Sequence, residues 1–364
     1  MQQPLPSLTR RQFLNTSSLS AAALLMLQTT ILARENQSGA PVPRLIPTLT
    51  GDIDPGNMGL TLMHEHLLFF NGIAPTDAGY QPIPENLRQE SIDFAADRIN
   101  DAARMGVETL VDVGPYRPID LYQEIASRTR VKIIVSTGFY RESKRPQWAI
   151  DMTDPHEMVN YMLKESQEGI GGTKLRAGII KVAQEKSPMS DWEKKVFQAA
   201  ATVQKKTGIN IATHTGNAVE QFNVLTKAGA DPKKIYFSHV DVRRNGKVGD
   251  LLPLLQAGAY LEVDTFGQAF NTSEAVLAAF IRDVCDAGYA NKLFISIDSN
   301  WHWVNGEKKF EGAEAPRLDP LASKRTFSYM FTDVIPTLFK FGFSMNEIRT
   351  FLVDNPQNYF ERYS

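Results

Sequence analysis

Hydrophobic positions along the chain follow two alternating patterns. Short runs rich in β-branched residues are followed by longer segments whose apolar residues recur at helical spacing, which is typical of βα units and a parallel sheet. Eight of the short runs are predicted to be strands: Leu60–His64, Thr109–Val113, Lys132–Thr137, Ala177–Val182, Asn210–His214, Ile235–His239, Ala259–Asp264 and Leu293–Asp298. Helices are predicted between them, with clear patterns over Glu85–Met105, Ser190–Thr207, Ala218–Ala228 and Ser273–Ala287.

This repeated arrangement predicts one closed α/β barrel rather than an open sheet. Eight strand–helix units in a chain of 364 residues match the (β/α)8 TIM barrel. An open doubly wound sheet, as in a nucleotide-dependent oxidoreductase, needs a glycine-rich phosphate loop after its first strand. Gly138 and the run Gly169-Ile170-Gly171-Gly172 lack that spacing. A short strand pair around the turn Pro55-Gly56-Asn57 is predicted before the barrel, and two or three closing helices are predicted from Pro320 to Ser364.

The first 35 residues differ from the rest of the chain. Arg10-Arg11 is followed by Phe13-Leu14 and a mildly apolar stretch from Leu19 to Leu32, which together resemble a twin-arginine export signal. The apolar stretch is too short and too polar to be a membrane span, and no cysteine follows it to carry a lipid. We therefore expect a signal peptide over residues 1–35, a linker over 36–42 and the barrel over 43–364, with the mature protein exported to the periplasm.

Composition limits the partners that the barrel can have. A formal net charge of −2 gives no electrostatic reason to expect nucleic acid or an anionic membrane surface. The single cysteine, Cys285, excludes an intramolecular disulfide and a thiolate metal cluster. The expected partners are a small-molecule substrate and the twin-arginine export machinery, with a homodimer left open.

Residues that bind metals fall at the ends of the predicted strands. Five share this placement: His64 and His66 at the first strand, His214 at the fifth, His239 at the sixth and Asp298 at the eighth. The C-terminal ends of barrel strands form the active face of this fold. Strand side chains alternate, so His64 and His66 point the same way and can share one metal. A lone histidine at a strand end is more often structural, but five such residues on one rim predict a metal site.

Lys181 ends the fourth strand and faces the same rim. An ammonium group has no lone pair to offer a metal. Carbamylation by carbon dioxide would turn this side chain into a carboxylate on a long arm, which can bridge two metals. The alternative is an ordinary ion-paired lysine, which would leave a two-metal site without a bridging ligand.

The segments that carry these residues resemble those of a known family. GLTLMHEHL and KLRAGIIKVA are similar to the two signature segments of the phosphotriesterase family in the amidohydrolase superfamily, and ATHTG, FSHVD and ISID follow in the family's order. The resemblance implies His64, His66 and Asp298 on the more buried metal. It places His214 and His239 on a second metal, with carbamylated Lys181 as the bridge. Zinc is implied, although manganese, cobalt or iron also suit such sites.

A two-metal site of this kind predicts hydrolysis without a covalent intermediate. Metals about 3.5–4 Å apart activate a bridging water as hydroxide. Asp298 is placed to take its proton and pass it to the leaving group. The absence of a Gly-x-Ser-x-Gly motif agrees with this mechanism. Asp241, two residues after His239, is a candidate to orient a metal ligand or, equally, to cap a helix.

The loops around the rim are expected to select the substrate. Tyr140 resembles the tyrosine that lactone-hydrolysing relatives place beside the metals, although a packing role is the alternative. Thr265 and Phe266 stand where those relatives often have arginine and tyrosine, which is a departure from the usual acyl-homoserine-lactone site. A long loop from Ser299 to about Pro320 is the predicted specificity lid, and three of its residues are candidate substrate contacts: Trp301, His302 and Trp303.

The predicted function is hydrolysis of a lactone or carboxylic ester. A phosphotriester or an amide is the alternative substrate on the same site, because one metal core supports several reactions. An exported binding module without activity is the alternative from another class, and the complete set of six ligands favours the enzyme.

Overall fold

Eight parallel strands lie in sequence order in one sheet that curls into a nearly closed barrel. The computed structural model describes residues 45–68, 85–115, 117–214, 216–241, 246–268, 272–299 and 325–361, together with the backbone of 301–304 and 307–310. The barrel strands are β1 Thr61–Glu65, β2 Thr109–Asp112, β3 Lys132–Gly138, β4 Ile179–Ala183, β5 Asn210–His214, β6 Ile235–Phe237, β7 Tyr260–Val263 and β8 Leu293–Ile295. Nearly every strand residue is buried, since helices cover the outer face and packed side chains fill the interior.

Helices follow the strands around the outside. The α-helices are α1 Glu85–Arg104, α2 Ile119–Ser127, α3 Gln147–Asp151, α4 Pro155–Gln167, α5 Asp191–Thr207, α6 Ala218–Lys227, α7 Val248–Gln256, α8 Glu274–Asp286, α9 Ile335–Lys340, α10 Met345–Arg349 and α11 Asn355–Glu361. The boundaries of α5 show why these segments are helical. Ser190 and Glu193 form a reciprocal capping box at its start, and Gly208 ends it in the left-handed conformation at φ 74°.

The seam between β1 and β8 is closed by side-chain and backbone hydrogen bonds. The Ser296 hydroxyl accepts hydrogen bonds from the backbone N–H of Met63 at 2.8 Å and of His64 at 3.0 Å. The Asp298 N–H donates to the His64 carbonyl at 3.2 Å. These contacts tie the start of the first strand's metal motif to the end of the eighth strand.

The C-terminal helices close the opposite end of the barrel. Tyr359 on α11 donates from its hydroxyl to the Ile211 carbonyl at 2.9 Å. Its ring lies 5.2 to 5.6 Å from those of Tyr236, Tyr260 and Phe294, so an aromatic cluster fills that end. The predicted barrel and its closing helices are confirmed.

Several predicted boundaries differ from the structure. The strand pair before the barrel is reduced to one antiparallel bridge between Ile46 and Ile53. The sixth strand ends at Phe237 and the eighth at Ile295, earlier than predicted, and beyond these ends His239 and Asp298 adopt positive φ angles, 56° and 52°, which are not strand conformations.

Part of the predicted lid loop is a β-hairpin. β9 Trp301–Val304 pairs antiparallel with β10 Glu307–Phe310, and Val304 lies opposite Glu307. The sequence signal for it is the Asn305-Gly306 pair directly after the strand-forming run Trp301–Val304. The rest of the predicted loop, residues 300, 305, 306 and 311–320, lies outside the described residues.

The N-terminal predictions also lie outside the part of the chain that the structure describes. The signal peptide and the linker fall within residues 1–44. From residue 45 onward, no described helix combines the length and apolar character that crossing a membrane requires.

Candidate metal centre

The C-terminal rim of the barrel brings together the residues that were predicted to bind metals. His64 and His66 leave β1 with ring centroids 5.6 Å apart. Asp298 Oδ1 lies 3.2 Å from His66 Nε2 and 3.7 Å from His64 Nε2. One ligand atom of each residue lies within 4.8 Å of the other two. These three side chains form the first candidate metal position.

His214 and His239 form the second candidate position. His214 Nδ1 and His239 Nε2 are 2.8 Å apart, and the rings meet edge to face with centroids at 4.5 Å. The His239 ring lies 4.7 Å from that of His64, so the two positions are adjacent. His239 reaches this place because its positive φ angle turns the chain inward directly after β6.

Lys181 lies between the two positions and is fully buried on β4. Its Nζ is 3.3 Å from His64 Nε2 and donates to the Thr213 carbonyl at 3.2 Å. Burial lowers the pKa of Lys181 to about 8, although the charge of Asp298 opposes this shift. Among the described residues no carboxylate lies within ion-pairing distance of Nζ, and a buried ammonium without such a partner is costly. The ion-paired alternative therefore finds no partner in the described part of the chain.

The Asp298 side chain is a carboxylate at neutral pH. Burial alone would raise its pKa, but His239 and His66 lower the pKa to about 2. Gln268 also approaches this group, with its Nε2 at 3.5 Å from Asp298 Oδ2. An ionised carboxylate beside imidazole groups can both bind a metal and accept a proton.

Glu65, the middle residue of the His-x-His motif, holds the backbone on both sides of Asp298. Its Oε1 accepts from the Ile297 N–H and its Oε2 from the Ser299 N–H, each at 2.9 Å. Burial raises the pKa of Glu65 to about 8, against the effect of these two N–H groups. Arg325 donates to the Ile297 carbonyl from the opposite side. The left-handed backbone at Asp298 is thus fixed by neighbours on two elements.

Asp264 is a functional residue that the sequence did not single out. It is fully buried after β7, with Oδ1 at 2.7 Å from His239 Nδ1 and Oδ2 at 3.1 Å from His64 Nδ1. On His239 this carboxylate fixes the tautomer and leaves Nε2 free for a metal, whereas His64 Nδ1 makes its hydrogen bond to the Ser238 hydroxyl at 2.9 Å. Although its oxygens are close enough to belong to a metal group with the two histidines, this orientation makes Asp264 a support rather than a ligand. The sequence could have indicated Asp264, because strand alternation places Glu262 and Asp264 on the same inward face of the seventh predicted strand.

Replacing Asp264 with asparagine is expected to weaken metal binding by about 10- to 100-fold. A neutral amide accepts the His239 Nδ1–H hydrogen bond more weakly than a carboxylate does, so it holds this ring less firmly in the orientation that a metal needs. Competition with a chelator of known affinity measures the change. Asp286→Asn, an exposed change at the end of α8, is the matched control. Equal affinity in the Asp264 variant and the control would contradict the role.

Tyr140 and Arg141 cover the second candidate position. The Tyr140 ring lies 5.1 Å from that of His214, and the Arg141 guanidinium contacts His214 Nε2 at 2.6 Å through Nη2 and at 3.0 Å through Nε. Gly138 makes this possible, since at φ 116° it turns β3 so tightly that a Cβ would lie 2.0 Å from the Lys181 carbonyl. Phe139 is buried among aromatic rings, and the next two residues face the rim.

The structure gives less information about the other residues that the sequence analysis discussed. Asp241 is buried just after His239, but the carboxylate seen on the histidine rings is that of Asp264, so the role of Asp241 stays a prediction. The substrate roles of Trp301, His302 and Trp303 also stay predictions, because only their backbone, on β9, is described. Cys285 is half-buried on α8 and burial raises its pKa to about 11, in keeping with a structural thiol.

The donor set fits two divalent metals. Four imidazoles and one ionised carboxylate form two adjacent groups, and beside them lies a lysine amine that has no carboxylate partner among the described residues. Nitrogen and oxygen donors in this mixture suit zinc and its first-row neighbours. The fold and the rim together define a (β/α)8 barrel with a histidine–carboxylate centre of the kind that metal-dependent hydrolases use.

Comparison with known proteins agrees with this class. A model of the phosphotriesterase family matches residues 44–360. An aryldialkylphosphatase from Saccharolobus solfataricus is 28% identical, over 86% of this chain and 99% of its own. An N-acetyltaurine hydrolase from Danio rerio is 25% identical, over 86% and 97%. The structure of an organophosphorus hydrolase from Deinococcus radiodurans is similar with a TM-score of 0.77 at 28% identity, over 89% of this chain and all of that one.

The chain belongs to the phosphotriesterase family. The resemblance found in the sequence is confirmed, and the protein is a hydrolase of this binuclear metal-dependent family.

Proposed function

We propose that this protein hydrolyses a lactone or a carboxylic ester on two divalent metal ions, zinc in the first instance. The observation that carries the proposal is the meeting of six side chains at one rim: His64, His66, Lys181, His214, His239 and Asp298. His64, His66 and Asp298 would hold one metal and His214 and His239 the other. Lys181, carboxylated at Nζ, would bridge them.

The bound metals would supply a Lewis acid and a water of lowered pKa. Asp298 would accept the proton of that water at an Oδ atom and deliver it to the leaving group, as its ionised state allows. Asp264 and Glu65 would hold the histidines and Asp298 in place. Tyr140 would donate a hydrogen bond to the substrate oxygen that becomes negatively charged.

The limited space at the rim of the second candidate position favours a carbonyl substrate over a phosphotriester. Tyr140 and Arg141 both occupy space directly over His214. A planar acyl group offers a flat face to such a rim, whereas a tetrahedral phosphotriester must place three ester groups around the reacting atom. An amide remains the second candidate bond, and the similarity to the Danio rerio N-acetyltaurine hydrolase favours it.

The proposal extends to location. Residues 1–35 would direct export by the twin-arginine route, which carries folded proteins and so suits an enzyme that loads metal before export. The mature enzyme would then act in the periplasm.

A hydrolysis screen tests the proposed reaction. The metal-loaded protein is offered lactones, aryl esters, phosphotriesters and acylated amines, with Asp298→Asn as the blank. We expect the highest kcat/KM for a lactone or ester. A phosphotriester as the best substrate, or equal rates in the blank, would overturn the proposal.

A further inference from the structure

Arg141 is a charged residue at the site that the proposed reaction does not use. It is half-buried on the turn after β3, and its guanidinium carbon lies 5.5 Å from the centre of the Tyr140 ring. Among the described residues no carboxylate lies within 4.0 Å of it, and its hydrogen bonds go to His214 Nε2 alone. A guanidinium carries five N–H donors, and since His214 is contacted by Nε and Nη2, Nη1 has no acceptor within the part of the chain that the structure describes.

The hydrogen-bond chain around His214 shows that its contact with Arg141 is conditional. Arg141 can only donate, so His214 Nε2 must accept, and the ring proton of His214 then lies on Nδ1 and donates to His239 Nε2. His239 in turn donates from Nδ1 to Asp264. With a metal on Nδ1, the proton of His214 belongs on Nε2, which can no longer accept from Arg141. The whole guanidinium fork is then available to a ligand.

The loop that carries Arg141 is held in place from two sides. Glu185 accepts hydrogen bonds from the Ser143 N–H at 3.1 Å and from its hydroxyl at 2.6 Å. Arg145 pairs with Glu142 at 3.3 Å and stacks 4.8 Å over the Trp192 ring. The position of Arg141 is therefore set by the fold before any ligand arrives, which lowers the entropic cost of binding.

We propose that Arg141 is a specificity-determining residue that binds a carboxylate on the substrate, so that the enzyme acts on an acyl compound with an anionic group a few bonds from the scissile carbonyl. The planar fork of a guanidinium matches the two oxygens of a carboxylate. Arg141 lies one imidazole ring away from the atoms that would hold the second metal. This inference rests on the proposed hydrolase function and names the substrate class of the same site.

Matched substrate pairs test the inference. One pair is acetoxyacetate and acetoxyacetamide, in which the charge is on the leaving group. The other is monomethyl succinate and methyl succinamate, in which it is on the acyl group. In each pair a carboxylate is replaced by a neutral amide of the same shape.

The preferred pair is the one that wild type hydrolyses with the higher kcat/KM. Within it, wild type should have a higher kcat/KM for the carboxylate than for the carboxamide, and Arg141→Met should lower kcat/KM for the carboxylate by about 10- to 100-fold, mainly through a higher KM. In Arg141→Met, kcat/KM for the carboxamide should change by less than about twofold. For the carboxylate, kcat/KM of Arg141→Lys should lie between the values of wild type and Arg141→Met. Lys144→Met, which removes the same charge from the same loop but none of the contacts that hold it, is the control and should behave as wild type. Metal content is measured for every variant.

If Arg141→Met lowers kcat/KM equally for the carboxylate and the carboxamide, Arg141 only supports His214. If it changes kcat/KM for neither, Arg141 does not contact the anion. Either result overturns the inference. Binding to the Asp298→Asn protein, measured by calorimetry, gives a readout that does not depend on turnover. If the hydrolysis screen finds no lactone or ester turnover by wild type, but the carboxylate still binds about tenfold tighter to Asp298→Asn than to the same protein with Arg141→Met, the proposed function fails and the carboxylate site stands.

Discussion

Replacing Asp298 with asparagine is expected to lower kcat by about a thousandfold or more. The amide has the shape of the carboxylate, but it cannot accept a proton and is a weaker metal ligand. The low pKa of Asp298, held down by His239 and His66, means that the wild-type group is an ionised carboxylate at neutral pH and has the free lone pairs that an amide lacks. Steady-state kinetics at saturating substrate measure the effect, and metal analysis of the same sample separates proton transfer from metal loss.

Asp283→Asn, an exposed change on α8, is the control for Asp298 and should keep full activity. The loss in Asp298→Asn should remain after excess metal is added. If kcat recovers with added metal to within about tenfold of wild type, Asp298 acts as a metal ligand and not as the proton acceptor.

Replacing Lys181 with methionine is expected to lower activity by at least about a thousandfold, because metal-ion catalysis supplies several kcal/mol of the rate enhancement. Methionine fills the same buried space beside His64 but cannot be carboxylated. We expect the variant to retain about one metal or fewer per chain, since the bridging oxygens are gone. Nuclear magnetic resonance with carbon-13 bicarbonate should show a carbamate signal in the wild type alone.

Lys206→Met is the matched control, as Lys206 is exposed on α5. It should keep the carbamate signal, both metals and the activity. A Lys181 variant that holds both metals and hydrolyses substrate at the wild-type rate would show that the lysine has no bridging role.

The barrel and its rim residues could be predicted from sequence because both follow from short-range rules. Strands that are buried on both faces are continuous apolar runs, and their C-terminal ends define the active face wherever the chain is folded as a barrel. His64, His66 and His214 could therefore be placed by counting along their strands. The bridging role of Lys181 was inferred mainly from the family resemblance; the family match confirms the resemblance, and the role stays a prediction.

The missed features depend on contacts between distant segments. Glu65 acts on residues 297 and 299 across the seam, and Arg141 meets His214 from another strand. His239 and Asp298 adopt positive φ angles beyond the ends of two strands that are shorter than predicted. Histidine and aspartate adopt this conformation more often than most residues, but it is uncommon even for them, so it could not be predicted at these two positions. Asp264 is different, because the alternation of the seventh strand already placed it inside the barrel.

Metal content is the most direct test of the two-metal hydrolase. The purified protein is stripped with a chelator, reconstituted with zinc in bicarbonate and analysed for metal and hydrolysis together. The arrangement of four histidines, Lys181 and Asp298 predicts about two metals per chain, with activity that disappears on chelation and returns with zinc or manganese. Less than about one metal per chain after reconstitution, or full activity in the stripped protein, would contradict it.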